Sequence, residues 1–328
     1  MTGEMTTRVA DYVRLRRSLS YNSTTRERSL RAFGRYLDEQ GLRGPLPLSI
    51  SLAWATTTTS TDPHNPARRL AGVRGFLRYL ATIDGETDVP PPGYLGSVGP
   101  RKPPHIYSSA ELTELVVGAG RLAPVDGLRP HTYATLFGLL ACTGLRVTEA
   151  LSLTCSQVDL TGGVLTVHGK RGRTRLVPLH PTAVTPLRDY AEHRNRRYGR
   201  GDEAAFFRTD ASARISYNTA HHAFSQVRRE LGWTADGRTR QPRIHDLRHT
   251  MVVRRIQTWH AEGVDVGARL PLLATYLGHA ELRALYWYLS ATPELMRIIG
   301  VRFDAFATSP WAGVRCARRR WASRSWSR

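Results

Sequence analysis

The chain has 328 residues, 41% of them hydrophobic, and a formal net charge of +20. This length favours two domains with ordinary cores, and the charge favours a polyanionic partner such as DNA, although a merely soluble basic protein would share it. Residues 1–20 hold arginines but no apolar run, which excludes a signal peptide, and no apolar stretch is long enough to span a bilayer.

The first 89 residues predict a small helical domain. Apolar residues recur there at helical spacing, behind possible capping residues at 23–25. Four arginines are interleaved with the second run, and they fit either a solvated helix face or a surface laid against DNA backbone. The apolar positions are Leu30, Phe33 and Leu37, then Leu70, Val73, Leu77 and Leu80, and the arginines are Arg68, Arg69, Arg74 and Arg78.

Residues 90–104 are rich in proline and glycine, which predicts a linker without helix. Its Arg101 and Lys102 are placed to follow phosphates where the linker crosses a duplex. The second domain is predicted over 105–307. Residues 308–328, rich in Arg, Trp and Ser, predict a disordered basic tail.

The second domain begins with helices and then a β-hairpin. His131–Cys142 reads as an apolar helix that ends at Gly144 in a left-handed cap, and a further helix runs through Glu149. Alternating residues predict strands over 162–168 and 174–179, joined by a turn. Further helices are predicted over 220–231, 244–260, 272–277 (ended by Gly278) and 282–289, with another opened by Pro293.

Six residues in this domain form a set suited to attack on a phosphodiester. Arginine donates bidentately to phosphate oxygens, a lysine in a turn can protonate a leaving oxygen, and a phenol can take the phosphoryl group covalently. Taken singly, each is more often an ordinary surface or core residue, so the joint order and spacing carry the prediction. The six residues are Arg146, Lys170, His245, Arg248, His279 and Tyr288.

Local chemistry leaves some assignments open. Lys170 shares its hairpin with Arg171, Arg173 and Arg175, and Tyr276 and Tyr286 compete with Tyr288 as nucleophile; these are alternatives that spacing alone does not separate. A phosphotyrosine conserves the phosphodiester energy, so we expect no cofactor, no ATP and no metal. The three cysteines contain no C-x-x-C pair, which favours a cytoplasmic protein without disulfides.

From Pro104 to near Gly300 the chain resembles the tyrosine recombinase, or phage integrase, family. The matching segments are T-G-L-R-V-T-E-A-L (143–151), G-K-R-G-R-T-R-L-V-P-L (169–179), H-D-L-R-H-T (245–250) and L-G-H (277–279). The resemblance makes Arg146 and Arg248 the catalytic arginines and Lys170 the catalytic lysine. His245 and His279 would assist, and the family's nine-residue step from His279 selects Tyr288 as nucleophile.

The resemblance implies a mainly α fold with a small β-hairpin or sheet. A helical core-binding (SAM-like) domain and a catalytic domain would form a C-shaped clamp round double-stranded DNA. Four protomers would act on two DNA sites, without a membrane and with accessory recombinases as possible partners, through a 3′-phosphotyrosine. Two alternatives remain, a catalytically silent DNA-binding protein of the same fold and a type IB topoisomerase.

Overall fold

The computed structural model describes residues 3–19, 21, 24–99, 103–169, 172–199, 201–234 and 241–278. The chain divides into two compact units, Met1–Arg101 and Lys102–Arg328. Each unit has its own hydrophobic core. The predicted Leu282–Leu289 helix, the helix opened by Pro293 and the basic tail lie outside the described residues.

The first unit is helical, as its apolar spacing predicts. Every apolar position that carried the prediction is buried, and the most exposed of them, Leu70, is only 4% exposed. Aromatic rings fill the centre, where Phe33 lies 4.9 Å from Trp54 between ring centroids. The helices are α1 (Glu4–Ser18), α2 (Thr24–Glu39), α3 (Leu48–Thr56) and α4 (Asn65–Asp84).

Two features of this unit differ from a simple reading of its sequence. Arg69 belongs to the packing rather than to a solvated face, because its guanidinium lies 4.1 Å from the Trp54 ring centroid and donates to the Trp54 carbonyl. Part of the predicted linker also belongs to this unit, since Pro90 is buried and Leu95 packs against its core. The described residues 90–99 contain no helix or strand, as their prolines predict.

The second unit combines helices with a small antiparallel sheet. The strands are ordered β1-β2-β3, and Leu165 of β2 pairs with Val177 of β3. Its elements are α5 (Ser109–Ala119), α6 (Leu128–Thr143), α7 (Val147–Ser152), a 3₁₀ turn (Cys155–Gln157), β1 (Val158–Asp159), β2 (Val164–His168), β3 (Thr174–Pro178), α8 (Pro181–Tyr198), α9 (Tyr217–Glu230), α10 (Asp246–Ala261) and α11 (Val266–Leu277).

Most of these elements follow the sequence prediction closely. The hairpin, α6, α7, α9 and α10 lie where the periodicity places them, and Gly144 ends α6 in the predicted left-handed conformation with φ 65°. Helix α11 is longer than predicted: it begins at Val266, behind an Asp265 cap whose side chain accepts from the Ala268 amide.

The position of the sheet matters for the site. Leu165, Val167 and Val177 point one strand face into the core of the second unit. Strand β2 ends at His168, and Lys170 follows two residues later in the sequence. Within the described ranges, no helix combines the length and the apolar character needed to cross a lipid bilayer.

Candidate active site

Two of the predicted arginines stand at helix starts. Arg146 caps the N-terminus of α7, directly after the turn that ends α6. Arg248 lies in the first turn of α10, and His245 occupies the position just before that helix.

Arg248 joins distant parts of the second unit. It is 2% exposed, and its Nη1 donates to the carbonyl of Gly144 at 2.6 Å, 104 residues away in sequence. Its Nη2 donates to the carbonyl of Leu277 at 2.8 Å. Those carbonyls belong to the C-terminal ends of α6 and α11, which carry partial negative charge. One guanidinium therefore holds three helices together.

Arg146 reaches the same turn from the other side. Its Nη2 lies 3.5 Å from the carbonyl oxygen of Gly278, and its side chain is 32% exposed. Since Arg248 contacts Leu277, both guanidinium groups approach the turn that ends α11. The next residue in the chain is His279.

Two residues complete this arrangement: Glu149, to which the sequence prediction gave no role, and Arg175, which it named only as an alternative to Lys170. Glu149 is 6% exposed and accepts from the Arg146 amide at 3.0 Å and from Arg146 Nη1 at 2.7 Å. Its oxygens also accept from Arg175 of β3, at 3.3 Å from Nη1 and 2.9 Å from Nη2. The sequence carried a usable signal for Glu149: a glutamate three residues after a helix cap is a capping-box pattern.

The environment of His245 favours the uncharged ring. The pKa of His245 is lowered to about 4, chiefly by burial and next by the nearby charge of Arg248. Arg243 and Arg146 act in the same direction, against the opposing carboxylate of Asp246. At neutral pH the ring is therefore neutral, so it can donate or accept a hydrogen bond beside the arginines.

The first turn of α10 is fixed by a buried carboxylate. Asp246 is 0% exposed and accepts from the Arg243 amide at 3.0 Å and from Arg243 Nη2 at 2.7 Å. Tyr107 braces the same turn, because its hydroxyl donates to the Arg243 carbonyl at 2.9 Å and its amide to Thr250 Oγ1 at 3.0 Å. These bonds fix the backbone from which Arg248 projects.

The structure separates one tyrosine from the competing nucleophiles. Tyr276 packs against two hydrophobic clusters of the second unit, and burial raises its pKa to about 12. A phenol in that state is a poor nucleophile at neutral pH. Tyr286 and Tyr288, together with Lys170 and His279, lie outside the described residues, so the structure brings together only Arg146, His245 and Arg248 of the predicted set.

The arrangement can do one kind of chemistry well. Two guanidinium groups contact one turn, and the neutral imidazole of His245 lies near both of them. Each guanidinium is oriented by buried or backbone acceptors. Such a preorganised cationic site stabilises charge that develops on the non-bridging oxygens of a phosphodiester.

Comparison with known proteins agrees with this chemistry. Residues 126–294 match the model of the phage integrase family. That match contains all six predicted site residues.

Individual relatives extend the similarity to nearly the whole chain. A Sinorhizobium fredii protein named as an integrase/recombinase, y4rE, is 37% identical over 296 residues, which cover 90% of this chain and 94% of the relative. Tyrosine recombinase XerD of Pseudomonas aeruginosa is 31% identical over 298 residues, covering 86% of this chain and 90% of XerD. The Tn1549 transposon integrase, solved with transposon right end DNA, shares the fold with a TM-score of 0.64 at 14% identity, covering 93% of this chain and 100% of that one.

Proposed function

Because the chain belongs to the phage integrase family, we propose that it is a site-specific DNA recombinase that cleaves and rejoins DNA through a covalent bond to tyrosine. The observation that carries this proposal is the convergence of Arg146 and Arg248 on the turn at 277–278. Relatives that carry the names integrase/recombinase and tyrosine recombinase support it.

The proposed reaction exchanges one phosphodiester for another. The Tyr288 oxygen attacks phosphorus, a 3′-phosphotyrosine forms, and the 5′-oxygen leaves with a proton from Lys170. Arg146 and Arg248 neutralise the charge on the non-bridging oxygens, assisted by His245 and His279. In the second step a 5′-hydroxyl of the partner duplex attacks the phosphotyrosine and releases Tyr288. The bond energy is retained throughout, so the reaction needs no ATP.

The helical first unit offers a surface for the DNA backbone. Arg28, Arg31 and Arg35 are exposed and share one face of α2 because they are spaced by three and four residues. Such a strip of guanidinium groups neutralises phosphates without reading sequence. We propose that this unit binds the backbone of the duplex. The logarithm of its DNA-binding constant should then fall with the logarithm of the salt concentration, with a slope of about −0.9 for each phosphate neutralised.

We propose further that four protomers act together on two DNA sites. Strand exchange needs two duplexes and therefore a tyrosine for each of four strands, which one chain cannot supply. We also propose a cytoplasmic location, which the three cysteines without a C-x-x-C pair favour. Integration, excision, transposition and dimer resolution use the same chemistry.

The test begins by finding the DNA. The protein is expressed in cells, covalently attached DNA is recovered under denaturing conditions, and its ends are sequenced to define the cleavage site. A suicide substrate is then built with a nick near the scissile phosphate, so that the short released strand diffuses away and the covalent complex accumulates. We expect the wild-type chain to be trapped on this substrate.

Matched variants identify the nucleophile and the catalytic arginines. Tyr288→Phe should abolish trapping, whereas Tyr286→Phe should leave it intact. Replacing Arg146 or Arg248 by alanine should slow trapping by about 10²–10³, the cost of losing one oxyanion donor. If trapping were lost in Tyr286→Phe and kept in Tyr288→Phe, then Tyr286 would be the nucleophile instead of Tyr288.

Two results would favour the other readings. DNA binding with no covalent complex from any substrate would indicate a silent DNA-binding protein. Covalent trapping with relaxation of supercoils but no strand exchange between two sites would indicate a topoisomerase.

A further inference from the structure

Arg175 contacts two elements of the site, α7 and the C-terminal end of α11. It lies in β3, paired with Val167 of β2, and its side chain is 12% exposed. Its Nε donates to the carbonyl of Tyr276 at 2.9 Å, while Nη1 and Nη2 reach the Glu149 carboxylate at 3.3 and 2.9 Å. One planar group therefore ties β3 to α7 and to the end of α11.

Through Glu149, Arg175 acts on Arg146. Burial alone would raise the pKa of Glu149, but the hydrogen bonds from Arg175 and Arg146 outweigh it and hold this pKa below its ordinary value. The carboxylate is therefore charged and shared between two guanidinium groups. Because Arg146 Nη1 binds the same Oε1 as Arg175 Nη1, a shift of Glu149 would move Arg146 as well.

Arg175 also lies against the turns that precede the two other predicted cationic residues. A Cβ on Gly278 would stand 2.8 Å from Arg175 Nη1 and 3.0 Å from Cζ, so the glycine backbone packs directly on the guanidinium. A Cβ on Gly169 would stand 3.8 Å from the same Nη1. The residues that follow these glycines in the chain are His279 and Lys170.

We propose that Arg175 is a positioning residue for DNA cleavage, which sets Arg146 through Glu149 and fixes the backbone turns that lead into Lys170 and His279. This inference rests on the proposed recombinase function. It assigns no contact between Arg175 and the DNA. The role of Arg175 is to hold β3, α7 and the end of α11 in a fixed relative position.

The geometry explains why this position requires arginine. The guanidinium uses Nε, Nη1 and Nη2 in one plane to serve three acceptor oxygens on two elements. A lysine ammonium keeps the charge but cannot hold that fixed fork. We therefore expect a lysine to keep the ion pair with Glu149 but not the hydrogen bond to the Tyr276 carbonyl, so that α7 and α11 are no longer held in a fixed relative position.

The experiment compares Arg175→Lys and Arg175→Met with the wild-type chain on the suicide substrate. Rates of covalent trapping are measured at saturating DNA, and DNA affinity and melting temperature are measured in parallel. The matched control is Arg269→Met, which removes the same charge from an exposed side chain of α11, the helix whose end Arg175 contacts. We expect Arg175→Met to trap about 10²-fold more slowly, the typical cost of a displacement near 1 Å, with unchanged DNA affinity. Arg269→Met should trap at the wild-type rate once DNA is saturating.

A second arm separates positioning from simple stability. If Arg175 acts through Arg146, then in an Arg146→Lys background the further change Arg175→Met should cost much less than it does alone. Independent effects would instead multiply. A purely structural role would show a lowered melting temperature with a trapping rate, measured well below it, equal to that of the wild type.

Removing Arg175 alone leaves Glu149 buried without one of its partners, which can impair folding. The double variant Arg175→Met/Glu149→Gln avoids this by removing both charges of the pair. It should fold and still trap slowly. Wild-type rates in this double variant, or multiplicative losses in the Arg146→Lys background, would overturn the proposal. A wild-type chain that forms no covalent complex would instead refute the recombinase function itself.

Discussion

Arg248 has a structural duty that is separable from catalysis, and Arg248→Lys tests it. The guanidinium is nearly inaccessible and donates to the carbonyls of Gly144 and Leu277 at 2.6 and 2.8 Å. These carbonyls end two different helices. A lysine can reach one of them, but it lacks the fork that serves both.

The expected magnitude follows from these bonds. A hydrogen bond from a charged donor contributes about 1.5–3 kcal/mol, so losing one of the two should lower the free energy of unfolding by about that amount. For a unit of this size, 1 kcal/mol corresponds to roughly 2–4 °C, which predicts a fall in melting temperature of about 3–12 °C. Arg248→Met, which loses both bonds, should fall further.

The assay is thermal melting without DNA, supported by urea unfolding to check that the m-value is unchanged. The control is Arg255→Met, an exposed arginine on the same helix, which should melt like the wild type. If Arg248→Lys melted together with Arg255→Met, then the two carbonyl contacts would contribute nothing to stability. Arg248 would then serve only the reaction.

Three further predictions concern the surroundings of the site. The pKa of His245 is lowered to about 4, so the folded chain binds its proton less readily than the unfolded chain; stability is complete above about pH 6.5 and falls as the pH drops toward 4. Between pH 7 and pH 5 the wild type should lose about 2 kcal/mol more unfolding free energy than His245→Gln, measured by urea titration. Gly278→Ala should lower the free energy of unfolding more than Gly263→Ala does. Both glycines have a positive φ, 66° and 72°, but only the Cβ at 278 would meet neighbouring atoms, those of Arg175. Equal urea midpoints for the two variants would contradict this crowding. Tyr107→Phe removes a hydroxyl that donates to a main-chain carbonyl, and it should cost about 0.5–1.5 kcal/mol in chemical denaturation; no loss would mean that water replaces the bond.

Much of the second unit was predictable because its signals are local. Gly144 marked the end of α6 by its left-handed conformation, and alternation of apolar residues marked β2 and β3. Strand β1 was missed because Val158–Asp159 is too short to alternate. Helix α8 was missed, and α11 was predicted too short, because each contains an internal proline that reads as a break in sequence.

The site itself was predictable only in part, for a different reason. Motif order predicted Arg146 and Arg248 as site residues, but their contacts with other segments were not predicted. Glu149 and Arg175 lie in quoted motifs, yet their pairing joins residues 26 apart on different elements. No periodicity in the sequence reports such a pairing, because it depends on how β3 packs beside α7.

The contacts of Arg248 also bear on when, during synthesis of the chain, the site can be assembled. Its two acceptors lie 104 and 29 residues away in sequence, and Arg146 meets a carbonyl 132 residues distant. Contacts between such remote segments form late, after the costly closure of long loops. A chain that has been synthesised only as far as α10 lacks the carbonyls of Leu277 and Gly278, which these two arginines contact. The contacts that orient both arginines are therefore complete only after residues 277–278 have been synthesised and α11 has packed against α6 and α10.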